Sequence, residues 1–172
     1  FMIEFTKNSG KIVIFNSILD SWKIFMTNKT DLKRKIDTNT KRLTGCLSVI
    51  DSQLKDIEIY ADNFFCEDSV NIIRSNGSIK KIDISNAFSD ALDLDFSNVS
   101  ILNLNILNAK NDCADLSFGN YNLISAVVQD CGDKSISVGE KSTVIIDEIK
   151  SENSNIGLAS KDSSNVLVKK SF

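Results

Sequence analysis

Asp90-Ala91-Leu92-Asp93-Leu94, Asp112-Cys113-Ala114-Asp115-Leu116 and Asp133-Lys134-Ser135-Ile136-Ser137-Val138 carry one pattern at one spacing. The apolar pair moves from 92/94 to 114/116 to 136/138, a step of 22 each time. A constant step near 20 is the signature of a solenoid, in which no repeat can bury its apolar face without its neighbours. Outward from this stretch the pair extends to Leu47/Val49, Val70/Ile72 and Ile156/Leu158. A second set, Ile79, Ile101, Leu123, Val144 and Val166, keeps nearly the same beat, followed by Ile84, Ile106, Val128 and Ile149. Within each segment apolar and polar residues alternate, as in Leu102-Asn103-Leu104-Asn105-Ile106, so one side chain points in and the next out.

Helical solenoids need apolar residues three and four apart, and a leucine-rich repeat needs its Leu-x-x-Leu-x-Leu frame; neither occurs here. Short β-branched runs separated by Asn, Ser, Asp and Gly fit strands instead. The expected fold is therefore all-β: a right-handed parallel β-helix with coils of about 22 residues. Asn76, Asn98 and Asn120 step by 22 and should stack, passing amide hydrogen bonds from coil to coil. Residues 1–172 read as a single β-helix domain with a weak first unit over 1–26. A polar, basic stretch over 27–42, with Lys29, Lys33, Arg34, Lys35, Lys41 and Arg42, breaks the period and reads as a loop insertion. The chain opens on Phe1, shows no signal-peptide pattern, and reads as a segment of a longer protein. Without evident end caps, the terminal coils are expected to meet neighbouring domains or a second copy.

Composition removes several function classes. A net charge of −3 and the lack of a basic stripe argue against nucleic acid. No apolar run is long enough for a membrane-spanning helix. There is no histidine, so Ser-His and Cys-His nucleophile pairs and His-based zinc sites are excluded within the chain. Cys46, Cys66, Cys113 and Cys131 show no CxxC spacing, and Cys113 and Cys131 occupy different places in their repeats. They are expected to be free, buried thiols.

What remains is acidic. Asp68, Asp90, Asp112 and Asp133 open successive units, and Asn71, Asp93, Asp115, Ser137 and Gly157 form an outward column, with Asp95 beside Asp93. Coils stack ~4.8 Å apart. Carboxylates at that distance repel by roughly 1 kcal/mol in water, more where water is excluded, so something must offset them. One account is structural, since Asp and Asn bond their own turn backbone and repetition alone makes a column. A second is calcium held by Asp93, Asp95 and Asp115. A third is acid–base chemistry on a sugar, as neighbouring-coil carboxyls sit at about the ~5 Å spacing of retaining glycosidases.

Part of this stretch resembles the polygalacturonases, right-handed β-helix glycosidases of the pectate-lyase-like superfamily. Ser89-Asp90-Ala91-Leu92-Asp93 is similar to their Asn-Thr-Asp-Gly-Ile-Asp, and Asn111-Asp112-Cys113 to their Asp-Asp-Cys. Lys134-Ser135-Ile136-Ser137-Val138-Gly139 is similar to His-Gly-Ile-Ser-Ile-Gly, and Gly157-Leu158-Ala159-Ser160-Lys161 to Gly-Ile-Arg-Ile-Lys. The resemblance spans about residues 89–161. It implies catalytic carboxylates at Asp90 and Asp112 and a substrate-binding lysine at Lys161. The family's general acid falls on Asn111, its histidine on Lys134 and its arginine on Ala159.

The expected function is a non-catalytic β-helix module of a larger surface or extracellular protein, binding polysaccharide or spacing other domains. Its ligand contacts would be Asp93, Asp115, Asn111, Lys134, Lys141 and Lys161. The alternative is a polysaccharide lyase or glycoside hydrolase working through Asp90, Asp112, Lys134 and Lys161.

Overall fold

Alternating apolar and β-branched residues bounded by turn formers become sixteen strands in this computed structural model, which describes residues 1–6, 10–28 and 43–172. In chain order they are β1 (Met2–Phe5), β2 (Ile12–Phe15), β3 (Ile18–Asp20), β4 (Lys23–Thr27), β5 (Gly45–Ile50), β6 (Gln53–Asp62), β7 (Asp68–Ile73) and β8 (Asn76–Ala87). Then follow β9 (Asp90–Asp95), β10 (Asn98–Ala109), β11 (Ala114–Ser117), β12 (Asn120–Cys131), β13 (Lys134–Gly139), β14 (Thr143–Glu152), β15 (Ile156–Ser160) and β16 (Asn165–Ser171). From β5 to β16 short and long strands alternate, each kind in its own sheet. The short ones form a seven-stranded sheet ordered β15-β13-β11-β9-β7-β5-β2. The long ones, together with the short early strands β1, β3 and β4, form a nine-stranded sheet ordered β1-β4-β6-β8-β10-β12-β14-β16, with β3 also on β6. Every pairing is parallel. This is a β-solenoid; the basic stretch from Lys29 to Arg42 lies outside the described residues.

The register places Ala114 between Leu92 and Ile136, and Leu116 between Leu94 and Val138. All six are fully buried. Burial of one such side chain contributes ~1.5–3 kcal/mol. Inside β10 two consecutive residues, Leu102 and Asn103, are exposed between buried Ile101 and Leu104. The strand therefore turns a corner, which lets one long strand wall two sides of the core.

Three columns read from the sequence shift by two residues. Leu123 lies opposite Ile146, not Val144, and Ala126 lies opposite Ile149. Ile136 lies opposite Leu158. Asp133 gives way to Lys134, whose backbone N–H donates to Asp112 Oδ1 at 3.0 Å, and Gly157 gives way to Ala159 as the neighbour of Ser137. The slips of two preserve which face each residue points to, so alternation alone could not reveal them, whereas the exchange of Asp133 for Lys134 is a slip of one. The β13–β14 turn carries the added residue: Glu140 and Lys141 both adopt positive φ (41° and 60°), as do Asp162 and Ser163 on the next coil (52° and 62°), where the preceding coils use a single such residue at that corner, such as Phe96 or Phe118.

The cysteines are paired: Cys46 with Cys66 and Cys113 with Cys131, 20 and 18 residues apart. Free thiols were expected because residues 22 apart are vertical neighbours and these are not. The geometry that matters is the circuit itself. A chain that has travelled 18–20 residues round a coil of about 22 has returned to the corner beside its starting point.

Asn98 Nδ2 donates to Asn76 Oδ1 (2.8 Å) and Asn120 Nδ2 to Asn98 Oδ1 (2.7 Å), the stack expected from their spacing. A buried serine stack runs beside it. The N–H of Ser17 donates to Ser52 Oγ, that of Ser52 to Ser75 Oγ and that of Ser75 to Ser97 Oγ, at 3.0–3.2 Å. The next coil has Gly119 at the serine position. There the Tyr121 hydroxyl accepts the Ser97 N–H (3.4 Å) and lies 2.9 and 2.8 Å from the carbonyl oxygens of Leu94 and Ser117. A Cβ at Gly119 would meet Ser97 O at 2.2 Å and the Tyr121 hydroxyl at 2.4 Å. Gly119→Ala should therefore cost about 1–3 kcal/mol as overpacking. A urea midpoint equal to that of the unsubstituted protein would refute this account of the glycine.

Candidate functional site

The outer face of the short-strand sheet gathers the acidic residues into three columns. The first is Asp68, Asp90, Asp112 and Lys134; the second is Ser48, Asn71, Asp93, Asp115, Ser137 and Ala159; the third is Asp95, Ser117 and Gly139. Strand alternation aims the second and third columns away from the core, the first column sits where each short strand begins, and the pairing register stacks all three coil on coil.

The first column is knit together by the backbone. Asp90 Oδ1 accepts the Asp112 N–H (2.8 Å) and the Asn111 side-chain amide (2.7 Å). Asp112 Oδ1 accepts the Lys134 N–H, and Lys134 Nζ reaches both Asp112 oxygens at 3.3 and 3.4 Å and also bonds Asp133. In the second column Asn71 Nδ2 donates to Asp93 Oδ2 at 2.6 Å. Lys161 lies along Gly139, its Cε 3.2 Å from where a Cβ would stand, and its charge acts on Asp115. Lys141 sits in the turn after β13, outside the three columns. Asp90, Asp93, Asp95, Asp112 and Asp115 are thus brought onto one face with Asn111, Lys134 and Lys161.

The face is short of water as well as crowded with charge. Burial raises the carboxyls of Asp90, Asp95 and Asp115 above the ordinary range. Burial pushes Asp68 up to about 7. Asp93 is raised furthest, by burial and then by the charges of Asp68, Asp95 and Asp115. Lys134 moves the other way from a base: hydrogen bonding to Asp133 and the charge of Asp112 hold its ammonium above the ordinary lysine value. Several polar atoms of this face are buried with no partner: Ser48 Oγ, Asp68 Oδ2, Asn71 Oδ1, Asp115 Oδ1 and Ser137 Oγ. Among the described residues no three or more His, Cys, Asp or Glu side chains are arranged to hold a metal ion.

A carboxyl whose folded-state value lies above its unfolded one stabilises the fold fully below the unfolded value. That contribution disappears as pH rises through the folded value. For Asp68 the window runs from about 3.8 to about 7, and Asp93 extends it upward. Glu58 acts oppositely. Lys80, then Tyr60, hold it down at about 2, so its contribution is lost only in strong acid. The melting temperature should therefore peak in mild acid and fall between pH 5 and 9. Asp93→Asn should flatten that fall and raise stability at pH 8. A melting temperature that climbs from pH 5 to 9 would contradict the raised values.

The sequence pattern did not indicate the serine stack, the exchange of Lys134 for Asp133, or the exposed pair Phe96 and Phe118. These two rings stack at 4.5 Å with an interplanar angle of 3°, on corners with φ of 50° and 52°. Their spacing of 22 was the available signal. No family model, curated protein or solved structure matches the chain.

Proposed function

We propose that this chain is a non-catalytic β-solenoid module that binds a polysaccharide along the outer face of its short-strand sheet. The observation behind this reading is the stacking of hydrogen-bonding groups on adjacent coils, Asp90 over Asp112 and Asp93 over Asp115. A polymer laid along the stack would meet polar groups on successive coils from Asn71 to Ser137, ~4.8 Å apart. Carboxyls with raised values both donate and accept, which suits sugar hydroxyls. Four paired cysteines fit an oxidising compartment, and hence a surface or extracellular setting. Neighbouring domains or a second copy would add strands at the open edges of β15 and β16.

The enzymic alternative, extending the likeness to polygalacturonases, draws less support. The residue at the general-acid position, Asn111, donates an amide hydrogen bond to Asp90 and has no acidic proton to give. Lys134, a candidate lyase base, is held as an ammonium by two aspartates. Titration of the protein against a panel of soluble polysaccharides, with assay for reducing ends and unsaturated product, tests both. Saturable binding without turnover is expected. Turnover would replace this reading with the enzymic one.

A further inference from the structure

Three Asn-x-Ser/Thr triplets occur in the chain: Asn28-Lys29-Thr30, Asn76-Gly77-Ser78 and Asn98-Val99-Ser100. Such a triplet is an acceptor of N-linked sugar in a secreted chain. The two disulfides fit the oxidising compartment in which that transfer takes place. The fold separates the three asparagines. Asn28 is buried, at 4% exposure, and leaves a sugar no room. Asn76 is half-buried and precedes Gly77, whose backbone presses on the coil below: a Cβ there would meet Leu54 O at 1.9 Å. Asn98 is exposed and opens β10 directly after the corner. Strand alternation sets Ser100 beside it on the outer face, with Val99 buried between them.

The surroundings of Asn98 suit a sugar. Two residues before it, the exposed Phe96 ring stacks on the exposed Phe118 ring. On the coils before it this corner carries the Arg74–Asp51 ion pair instead. The C–H face of a pyranose packs on aromatic rings, whose faces carry negative charge. On the other side of Asn98 lies a groove of about 400 Å³, lined in part by Ser100, Asn120, Asn122 and Thr143 and by no charged side chain. One coil on, Phe118-Gly119-Asn120-Tyr121-Asn122 repeats the ring and the exposed amide but has Asn122 where a hydroxyl residue is needed.

We infer that Asn98 carries an N-linked glycan whose first sugar covers the Phe96–Phe118 pair. Occupancy requires passage through the oxidising compartment and does not depend on polysaccharide binding at the acidic face. The donor is a lipid-diphosphate-linked oligosaccharide. Asn98 Nδ2 bonds to C1 of its first sugar, the C1–O bond to the diphosphate breaks, the nitrogen gives up one proton and the lipid diphosphate leaves. Nδ2 starts with two hydrogens and donates one to Asn76 Oδ1 (2.8 Å), so replacing the other keeps the amide stack.

The test is secretion of the full chain, behind a cleavable leader, from a eukaryotic cell line. Peptide masses are mapped before and after a peptide-N-glycosidase, which leaves aspartate at an occupied asparagine. A glycan at Asn98 is expected. Asn98→Gln should remove it, and so should Ser100→Ala, which leaves the amide stack untouched. Asn122→Thr combined with Asn98→Gln should move the glycan to Asn120. The glycosylated protein should melt at a higher temperature than the same chain made without sugar in a bacterial periplasm, and Phe96→Ala should abolish that difference. An unoccupied Asn98 in the secreted, folded protein, or a glycan confined to Asn28 or Asn76, overturns the assignment. Equal melting temperatures with and without the glycan overturn the covering of the rings.

Discussion

Leu94→Asp should abolish cooperative unfolding altogether. Leu94 is fully buried and stacks between Ile72 and Leu116 in adjacent coils. Truncating a buried leucine costs about 2–5 kcal/mol through lost contacts and the cavity left behind. Aspartate adds the burial of a charge with no cation at that depth, so the group must take a proton or draw water between coils. Together these approach the whole stability of a domain this size, about 5–15 kcal/mol. The damage also spreads, because each coil of a solenoid is held mainly by the two it touches. Circular dichroism at 25 °C should show loss of the strand signal, whereas Leu94→Ile should keep the fold at a cost of about 1.5 kcal/mol or less. A sharp thermal transition in the aspartate variant, near that of the unsubstituted protein, would mean that Leu94 does not face the core.

The same residue shows why so much of the architecture was legible. Leu92, Ala114 and Ile136 recur at a constant step because they occupy one vertical line, and the structure places them in one register. Legibility ends where the step changes. At the β13–β14 turn one added residue moves Leu123 opposite Ile146, and Val144 has the same parity as the true partner. The site was legible in its acids but not in their state. Asp93 could be read as outward from Leu92-Asp93-Leu94, yet its burial and its contact with Asn71 depend on neighbouring coils. Lys134 is legible as a residue of the enzymic alternative, but its pairing with Asp112 and Asp133, which holds it as a cation, depends on the neighbouring coil. Tyr121 illustrates a third kind of gap: its hydroxyl fills the gap in a serine stack only because Gly119 leaves the space.

Removing both disulfides should bring the protein close to the limit of folding. Cys46–Cys66 and Cys113–Cys131 close loops of 20 and 18 residues, and cross-links of that span remove about 3 kcal/mol each from the unfolded chain's entropy. The two sit about three coils apart, roughly 14 Å at the strand spacing, so their effects should add. Cys113→Ser with Cys131→Ser should lower the denaturant midpoint in proportion to about 3 kcal/mol, and the four-serine variant should lose about twice that. All four sulfurs lie in the buried core, so a mild reductant should act slowly on the folded chain and quickly once denaturant opens it. Thiol titration offers the direct check: no reactive thiols in the native protein purified under oxidising conditions, and four after denaturation with reductant. Four thiols reacting in the denatured but unreduced protein would show that neither bond forms. The stability assigned to closed coils would then have to come from the apolar columns alone.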